Sequence, residues 1–185
     1  MAAVKRLLGA LLWLAVCLGL LVVGCREFYK AAYPQGYREL VERYSEENGL
    51  EPALVYAVIR TESGFHPEAE SSVGARGLMQ LTPDTFQWVR YRLGETGAAS
   101  PDLLYDPQKN IKYGAANLRL LIREFGSEET ALAAYHAGWG SVSRWLADDR
   151  YSDDGRNIHH IPFADTDVYV TKVLETARLY RRLYG

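Results

Sequence analysis

The sequence predicts a mainly α-helical domain preceded by an N-terminal transmembrane helix, and three observations support this fold class. Residues 7–24 form a run of 18 residues without a charged or strongly polar side chain. Apolar residues further along the chain recur at the i, i+3, i+4 and i+7 spacing of one helix face. No segment shows the strict alternation of apolar and polar residues that is typical of a half-buried strand.

The composition is that of a globular protein whose folded part is acidic. The chain has 185 residues, of which 48% are hydrophobic and 24% charged, enough for one ordinary domain with a short appendage. The net charge is −2, with +3 on the first 36 residues and −5 on the remainder. An acidic domain without a basic run is a poor ligand for nucleic acid, whereas a neutral sugar polymer stays possible.

The apolar run near the N-terminus has the length of a membrane span. As a helix, residues 7–24 would be about 27 Å long at ~1.5 Å per residue, close to the thickness of the hydrocarbon core. Lys5 and Arg6 precede the run, which predicts a cytoplasmic N-terminus and an extracytoplasmic domain. We therefore expect residues 1–25 to be an uncleaved anchor of a single-pass protein of the cell membrane.

Two alternatives to this anchor stay open. A lipoprotein signal is one, because small residues precede Cys25, although charged residues follow it directly. A cleaved secretory signal is the other, disfavoured by the length of the run and by the lack of an A-x-A site. Both cysteines, Cys17 and Cys25, lie in this segment, so cysteine usage leaves the compartment of the domain open.

Residues 26–36 are expected to be a linker, since Pro34 and Gly36 interrupt a helix. The globular domain is then expected over 37–185. Its first helices are predicted over 37–48, 52–63 and 82–92. Gly49 gives a C-cap signal for the first of them, and Pro52 opens the second. A glycine-rich loop follows the second helix, and Thr82-Pro83 opens the third with an N-cap residue before a first-turn proline.

The later helices are predicted over 106–125, 128–137, 141–147 and 165–183, with loops at 93–105 and 148–164. Asp106-Pro107 opens the longest helix, and Gly138 ends the alanine-rich one that follows. Asp165 or Thr166 is expected to cap the last helix.

Glu62 stands out on physical grounds. The apolar stripe of the helix at 52–63 contains Val55, Val58 and Ile59, and Glu62 continues its spacing. A carboxyl group on that face is desolvated, which raises its pKa, and the negative end of the helix dipole acts in the same direction. Both effects favour a general acid. Periodicity alone, however, favours a glutamate at a helix end that reaches water or pairs with an arginine such as Arg60 or Arg76, because many helices carry one glutamate near their apolar edge.

Four short segments follow one another along residues 37–184. They are Thr61-Glu62-Ser63-Gly64-Phe65, Gly74-Ala75-Arg76-Gly77-Leu78-Met79-Gln80, Ala134-Tyr135-His136-Ala137-Gly138, and Ile161-Pro162-Phe163 with Thr166-x-x-Tyr169-Val170. In this order they resemble the motifs of the lytic transglycosylases related to the soluble lytic murein transglycosylase and goose-type lysozyme. That family has a lysozyme-like helical domain with a glycan-binding groove.

The resemblance implies a specific reaction on the glycan strands of peptidoglycan. Glu62 would protonate the glycosidic oxygen between N-acetylmuramic acid and N-acetylglucosamine. The same group would then take the proton of the C6 hydroxyl, which closes a 1,6-anhydro ring without consuming water. Neither a metal nor a cofactor is implied, and no His-Glu-x-x-His or Cys-x-x-Cys pattern suggests one. Protein partners are not indicated.

The resemblance also implies roles for other motif residues. Ser63 would hydrogen-bond near the acid, Met79 and Tyr135 would line the groove, and Gln80 would bind an N-acetyl or hydroxyl group. Tyr169 would hold Glu62 or a sugar through its hydroxyl. Substrate contacts are thus expected from Ser63, Met79, Gln80, Tyr135, His136 and Tyr169.

Two positions depart from the family pattern. His136 stands where asparagine is usual, which affects the sugar contacts and the pH profile. Asp165 stands where glutamate is usual and is one methylene shorter, which affects the reach of the fourth motif.

A hydrolase acting on the same bond, a muramidase, would need a second carboxylate across the bond. The candidates by position are Glu68, Glu70, Asp84, Asp165 and Asp167, none of which lies on an evident apolar face. This favours the transglycosylase over the muramidase. A non-catalytic scaffold that binds the cell wall is a third possibility, and the presence of Glu62 argues against it.

Overall fold

The computed structural model describes residues 2–185, and within them it contains α-helices, one short 3-10 helix and no strand beyond isolated bridges. The mainly α fold class is therefore confirmed. The helices are α1 (Ala2–Ala32), α2 (Arg38–Asn48), α3 (Pro52–Glu62), α4 (Pro83–Arg92), α5 (Pro107–Phe125), α6 (Glu128–Ala137), α7 (Trp139–Leu146) and α8 (Ala164–Tyr184). Met1, the first residue of the expected anchor, and the side chain of Lys5 lie outside the described part.

Most helix ends follow from the capping residues in the sequence. Thr82 and Asp106 each accept a backbone hydrogen bond from the first turn of their helix, and Ser127 does so for α6. The C-caps Gly49 and Gly126 adopt the left-handed conformation that glycine tolerates best.

Two expectations about local structure were wrong. α8 begins at Ala164 without a side-chain cap, so Asp165 and Thr166 lie inside its first turn. There the Asp165 carboxylate accepts a 2.9 Å hydrogen bond from the Thr166 backbone N–H. Its negative charge also interacts favourably with the positive end of the helix dipole. The segment expected to be a loop at 93–105 contains a 3-10 helix, Pro101–Tyr105, whose first turn is capped by Ser100.

The N-terminal helix extends further than its apolar run. α1 continues to Ala32, so most of the residues expected to form a linker at 26–36 are helical. The helix ends before Pro34, because proline disfavours helical backbone at the residue before it. Its stretch Leu11–Ala32 is long and apolar enough to cross a membrane, and its apolar side chains are exposed.

The helical domain is built around α3. Every residue from Leu54 to Ile59 is buried, so this helix is enclosed on all sides over that stretch and carries no single apolar stripe. α3 packs mainly against α8, and α5 packs against α2 and α6. A smaller apolar cluster centred on Phe86 and Leu104 lies between α4 and α5. Glu62 is the last residue of α3, at the point where the central helix leaves the core.

Candidate active site

Glu62 lies in an environment that favours its protonated form. Burial raises the pKa of its carboxyl group from 4.5 to about 7, against opposing effects from the Tyr169 hydroxyl and the charge of Lys172. The desolvation expected from the sequence is confirmed. The alternative pairing with an arginine is not observed, because Arg60 lies over the ring of Tyr33, and Arg76 pairs with Glu70 and Asp102.

The Tyr169 side chain comes from α8 and contacts Glu62 directly. Its ring is buried, and its hydroxyl donates a 2.7 Å hydrogen bond to Glu62 Oε1. Of the two possibilities expected for this hydroxyl, holding Glu62 or holding a sugar, the structure has the first. Packing of α3 against α8 thus brings the first and fourth motifs together.

His136 extends this arrangement outward from the acid. Its ring stacks on that of Tyr169 with centroids 4.5 Å apart and planes inclined by 27°. Its Nδ1 atom lies 3.1 Å from the Thr166 hydroxyl, which also belongs to α8. The exposed imidazole is therefore oriented by the fourth motif while its free edge faces outward.

Several residues expected to bind substrate instead hold the glycine-rich loop in place. The Ser63 hydroxyl donates to the Leu78 carbonyl at 2.7 Å, which ties the end of α3 to this loop. The Gln80 amide donates to the Ala69 and Gly77 carbonyls at 3.0 and 2.9 Å. The Met79 side chain, expected to line the groove, is fully buried in this structure.

Met79 still takes part in the site through its backbone. The Tyr135 hydroxyl donates a 2.7 Å hydrogen bond to the Met79 carbonyl, so α6 also holds the loop. The thioether packs directly against Gly114 of α5, where a Cβ atom would come within 2.3 Å of the sulfur. Met79 is therefore a core residue whose burial fixes the position of the loop below Tyr135.

Asn110 of α5 was missed by the sequence reasoning. It is fully buried, and its amide donates to the Arg76 and Leu104 carbonyls at 2.9 and 2.7 Å. Its Oδ1 atom accepts from the Met79 backbone N–H at 2.7 Å. The available signal was its spacing with Gly114 and Asn117, which places two amides and a glycine on one face of a helix.

A cleft of about 430 Å³ lies between α4, α5 and the junction of α6 with α7. Its wall includes the aromatic residues Trp88, Tyr135 and Trp139 and the charged residues Asp84, Arg92 and Glu124. Tyr135 lies in the cleft wall and also near the acid: burial, and secondly the charge of the Glu62 carboxylate, raises the pKa of its hydroxyl. Trp88 and Trp139 were not singled out from the sequence, although Trp139 directly follows the third motif.

The other carboxylates do not act on Glu62. Glu70 pairs with Arg76 and accepts from the Tyr105 hydroxyl, and Asp165 and Asp167 are exposed in the first turn of α8. Among the described residues, the groups that shift the pKa of Glu62 are the Tyr169 hydroxyl and the Lys172 ammonium group, and neither is a carboxylate. Within residues 2–185, no group of three or more His, Cys, Asp or Glu side chains is placed to hold a metal ion.

Residues 39–158 match the model of the family described as "Transglycosylase SLT domain". The soluble lytic murein transglycosylase of Escherichia coli K12 is 34% identical over 155 residues, which are 83% of this chain and 24% of that protein. The membrane-bound lytic murein transglycosylase C of Edwardsiella ictaluri is 33% identical over 172 residues, with 80% of this chain and 47% of that protein covered.

A solved structure has the same fold. It is the X-ray structure of an inactive glutamate-to-glutamine mutant of the lytic transglycosylase Slt from Pseudomonas aeruginosa, 35% identical with a TM-score of 0.70. The match covers 83% of this chain and 25% of that one. This chain therefore spans between about a quarter and a half of the length of these relatives.

Proposed function

Since this chain belongs to the transglycosylase SLT domain family, we propose that it is a peptidoglycan lytic transglycosylase with Glu62 as its catalytic acid and base. It cleaves the β-1,4 bond between N-acetylmuramic acid and N-acetylglucosamine and leaves 1,6-anhydromuramic ends. The observation that carries the proposal is the partly buried Glu62 carboxyl group, whose pKa is raised to about 7 by desolvation beside the Tyr169 hydroxyl. A glutamate-to-glutamine mutant of a relative is named as inactive, which supports a glutamate in this role.

In the first step, protonated Glu62 donates its proton to the glycosidic oxygen. The bond between that oxygen and C1 of the muramic residue breaks, and N-acetylglucosamine leaves with a free hydroxyl. Positive charge develops at C1, and the Glu62 carboxylate formed in this step is stabilised by the hydrogen bond from Tyr169.

In the second step, the Glu62 carboxylate takes the proton of the C6 hydroxyl of the muramic residue. The freed oxygen attacks C1 and closes the 1,6-anhydro ring, which returns Glu62 to its protonated state. One carboxyl group thus completes the cycle, first as acid and then as base. A muramidase would instead place a second carboxylate or an activated water on the far side of the bond.

The aromatic cleft beside Tyr135 is the proposed binding groove for the glycan strand. Trp88 and Trp139 offer broad apolar faces for sugar rings, and neighbouring charged groups offer hydrogen bonds to the polar substituents. His136, exposed beside Tyr169, contributes a ring nitrogen at the position where the family usually has an asparagine amide.

The proposed placement of the enzyme is a single-pass anchor through α1 with the domain outside the cytoplasm. The helix segment Leu11–Ala32, whose uncharged part ends at Cys25, supports a membrane span, and a similar relative is named as membrane-bound. The alternative is a lipoprotein attached at Cys25, a residue that lies exposed on α1. Protease added to intact cells without an outer barrier should remove the domain, and full protection would refute this topology.

Digestion of purified peptidoglycan by the full-length chain in neutral detergent tests the reaction. Mass spectrometry should find fragments one water lighter than reducing-end fragments. Reducing ends would show a muramidase instead. Glu62→Gln should abolish release, whereas Glu68→Gln, which alters an exposed carboxylate near the same motif, should not. Equal release, or equal lack of release, by the wild type and Glu62→Gln would contradict Glu62 catalysis.

A further inference from the structure

A second cleft, of about 400 Å³, lies where the end of α1 meets α2, the start of α3 and the end of α8. None of the residues assigned above to the catalytic site lines it. Its wall contains more basic than acidic side chains. The basic ones are Arg26, Lys30, Arg38 and Arg181, and the acidic ones are Glu42 and Glu51. We call this cleft the α1 pocket.

The α1 pocket contains a buried hydroxyl group without a partner. Tyr56 is 1% exposed, and its hydroxyl makes no hydrogen bond. Tyr56 itself lines the pocket, together with Arg38, Glu42 and Tyr184. A buried hydroxyl left unpaired costs about 1–3 kcal/mol, which a polar ligand would offset.

The start of α3 adds a second feature that favours an anion. Pro52 and Ala53, in the first turn of this helix, line the pocket. The residue at the N-cap is Glu51, but its side chain does not cap the helix and instead accepts a 2.6 Å hydrogen bond from Arg181. The positive end of the α3 dipole thus faces the pocket without a side-chain cap.

The acidic residues of the pocket are engaged in ion pairs at its rim. Arg38 pairs with Glu42 at 2.7 Å and Arg181 pairs with Glu51 at 2.6 Å, all with partly exposed side chains. Exposed ion pairs of this kind contribute little, typically about 0–1 kcal/mol. They orient the two guanidinium groups, and a ligand with a stronger local charge can compete for them.

The position of the pocket along α1 suggests the source of such an anion. The apolar run ends at Gly24, and Arg26 and Lys30 follow on the same helix. At ~1.5 Å per residue they lie roughly 3–9 Å beyond the apolar run, which is the depth of lipid headgroups in an inserted protein. The end of α1 is held against α8 by hydrogen bonds from the Tyr184 hydroxyl to the Tyr33 and Lys30 carbonyls.

We propose that the α1 pocket binds the phosphate group of an anionic phospholipid headgroup, held by Arg38, Arg181 and the Tyr56 hydroxyl. The lipid as source of the phosphate rests on the membrane placement proposed above, whereas the site itself depends on no step of the cleavage reaction. Binding of a headgroup here would hold the domain close to the membrane surface, through a helix that continues into it.

Isothermal titration of the full-length chain in neutral maltoside micelles tests this site. The probes are dihexanoyl phosphatidylglycerol, dihexanoyl phosphatidylcholine and inorganic phosphate. We expect phosphatidylglycerol to bind at least about tenfold more tightly than phosphatidylcholine. Because a hydrogen bond to a charged group contributes about 1.5–3 kcal/mol, Tyr56→Phe should weaken phosphatidylglycerol binding about tenfold or more. Arg38→Gln should weaken it to a similar degree.

Two matched controls lie outside the pocket. Ser45→Ala removes another buried hydroxyl that makes no hydrogen bond, and Arg43→Gln removes an arginine of α2 that pairs with Glu47. Both should bind phosphatidylglycerol within twofold of the wild type. Because Tyr56→Phe removes no contact, its unfolding temperature without ligand should equal or exceed that of the wild type.

The outcomes separate the parts of the proposal. Tighter binding of inorganic phosphate than of phosphatidylglycerol, weakened by the same two variants, would overturn the lipid source. Binding by Tyr56→Phe and Arg38→Gln within twofold of the wild type would overturn the site. If Tyr56→Phe does not fold, the exposed Arg38→Gln variant still decides the matter. Since the readout is binding, failure of the cleavage reaction has no influence on it.

Discussion

The hydroxyl of Tyr169 donates a 2.7 Å hydrogen bond to Oε1 of Glu62, and the two residues lie 107 positions apart in the sequence. This bond favours the ionised carboxylate, while burial favours the protonated acid and prevails. The pKa of about 7 that results places Glu62 close to half protonation at neutral pH. A group in that state is suited both to donate a proton and to take one back.

The first prediction concerns the pH dependence of cleavage. The first step requires protonated Glu62, so kcat/KM should fall as the pH rises through about 7, the pKa of this group. The decrease should approach tenfold per pH unit well above that value. Initial rates on soluble glycan strands between pH 5 and 9 measure it, with Glu68→Gln as the control. A midpoint near 4.5, the ordinary value for glutamate, would contradict the assignment.

Removal of the Tyr169 hydroxyl should move this midpoint to higher pH. Tyr169→Phe deletes the hydrogen bond that stabilises the carboxylate and leaves the ring stacked on His136. The pKa of Glu62 should therefore rise, and the maximal rate should fall about tenfold or more, because a hydrogen bond to a charged group contributes about 1.5–3 kcal/mol.

The matched control is Tyr113→Phe, which removes a hydroxyl bonded to Glu95 away from the site. Its pH profile should coincide with that of the wild type. A midpoint shifted to lower pH in Tyr169→Phe would show that the hydroxyl does not stabilise the carboxylate.

Glu62 should also make the stability of the protein depend on pH. Its pKa is raised from 4.5 in the unfolded chain to about 7 in the folded one, so the folded state binds more protons between these values. Stability is then lost as the pH rises from 4.5 to 7 and stays lower above 7. Glu62→Gln should remove this loss and stabilise the protein by up to about 3 kcal/mol at pH 8.

Thermal unfolding of the wild type and Glu62→Gln at pH 4 and pH 8 measures this effect. The two proteins should differ little at pH 4 and by several degrees at pH 8. An equal difference at both pH values would mean that packing, and not the charge of Glu62, sets the stability.

Substitutions at two glycines of the loop distinguish the stability cost of backbone strain from that of steric contact. Both have a positive φ, +78° at Gly74 and +75° at Gly77, but only Gly77 faces close neighbours, with the Leu104 carbonyl 2.1 Å from the position of an added Cβ. Gly74→Ala should therefore cost about 1 kcal/mol from strain alone.

Gly77→Ala should cost several times more, because it also displaces the loop from Asn110. Chemical denaturation measures both values. Loss of peptidoglycan cleavage is expected for Gly77→Ala alone, since this loop carries Met79 and Gln80. Equal costs for the two variants would refute the role of the contact.

His136 can be tested through the residue that the family usually carries at this position. His136→Asn keeps a hydrogen-bonding side chain beside Thr166 but loses the ring that stacks on Tyr169. Its kcat should stay within about tenfold of the wild-type value. The kcat of His136→Ala should be lower still, because this variant also loses the hydrogen bond. Equal activities of the two variants would exclude a polar contact from this position.

Much of the local structure could be predicted because it depends on neighbouring residues. Thr82, Asp106 and Ser127 cap their helices, and Gly49 and Gly126 end theirs, through hydrogen bonds within one turn. α8 was misplaced at its start because no side chain caps it. α1 runs past its apolar end because only Pro34, and not the change in polarity, interrupts its backbone.

The features of the candidate site likewise divide into those that the sequence indicated and those that depend on tertiary contacts. The ordered motifs indicated Glu62 as the candidate acid from the sequence alone, and its place at the end of an apolar helix indicated its desolvation. The sequence could not assign the motif side chains to substrate or to scaffold. Met79 is buried against Gly114, Gln80 holds the loop, and buried Asn110 holds three backbone groups, all through contacts between distant segments.

By itself, then, the sequence indicated most of the helices and the apolar N-terminal segment, because these depend on local spacing and capping, and its ordered motifs indicated Glu62 as the candidate acid. Only the tertiary structure decided that Tyr169 holds Glu62, that Met79 faces the core and that an unpaired Tyr56 hydroxyl lies beside Arg38. The physical reason is that hydrogen bonding and burial of a side chain depend on what packs against it, and in each of these cases the packing partners come from distant helices and loops.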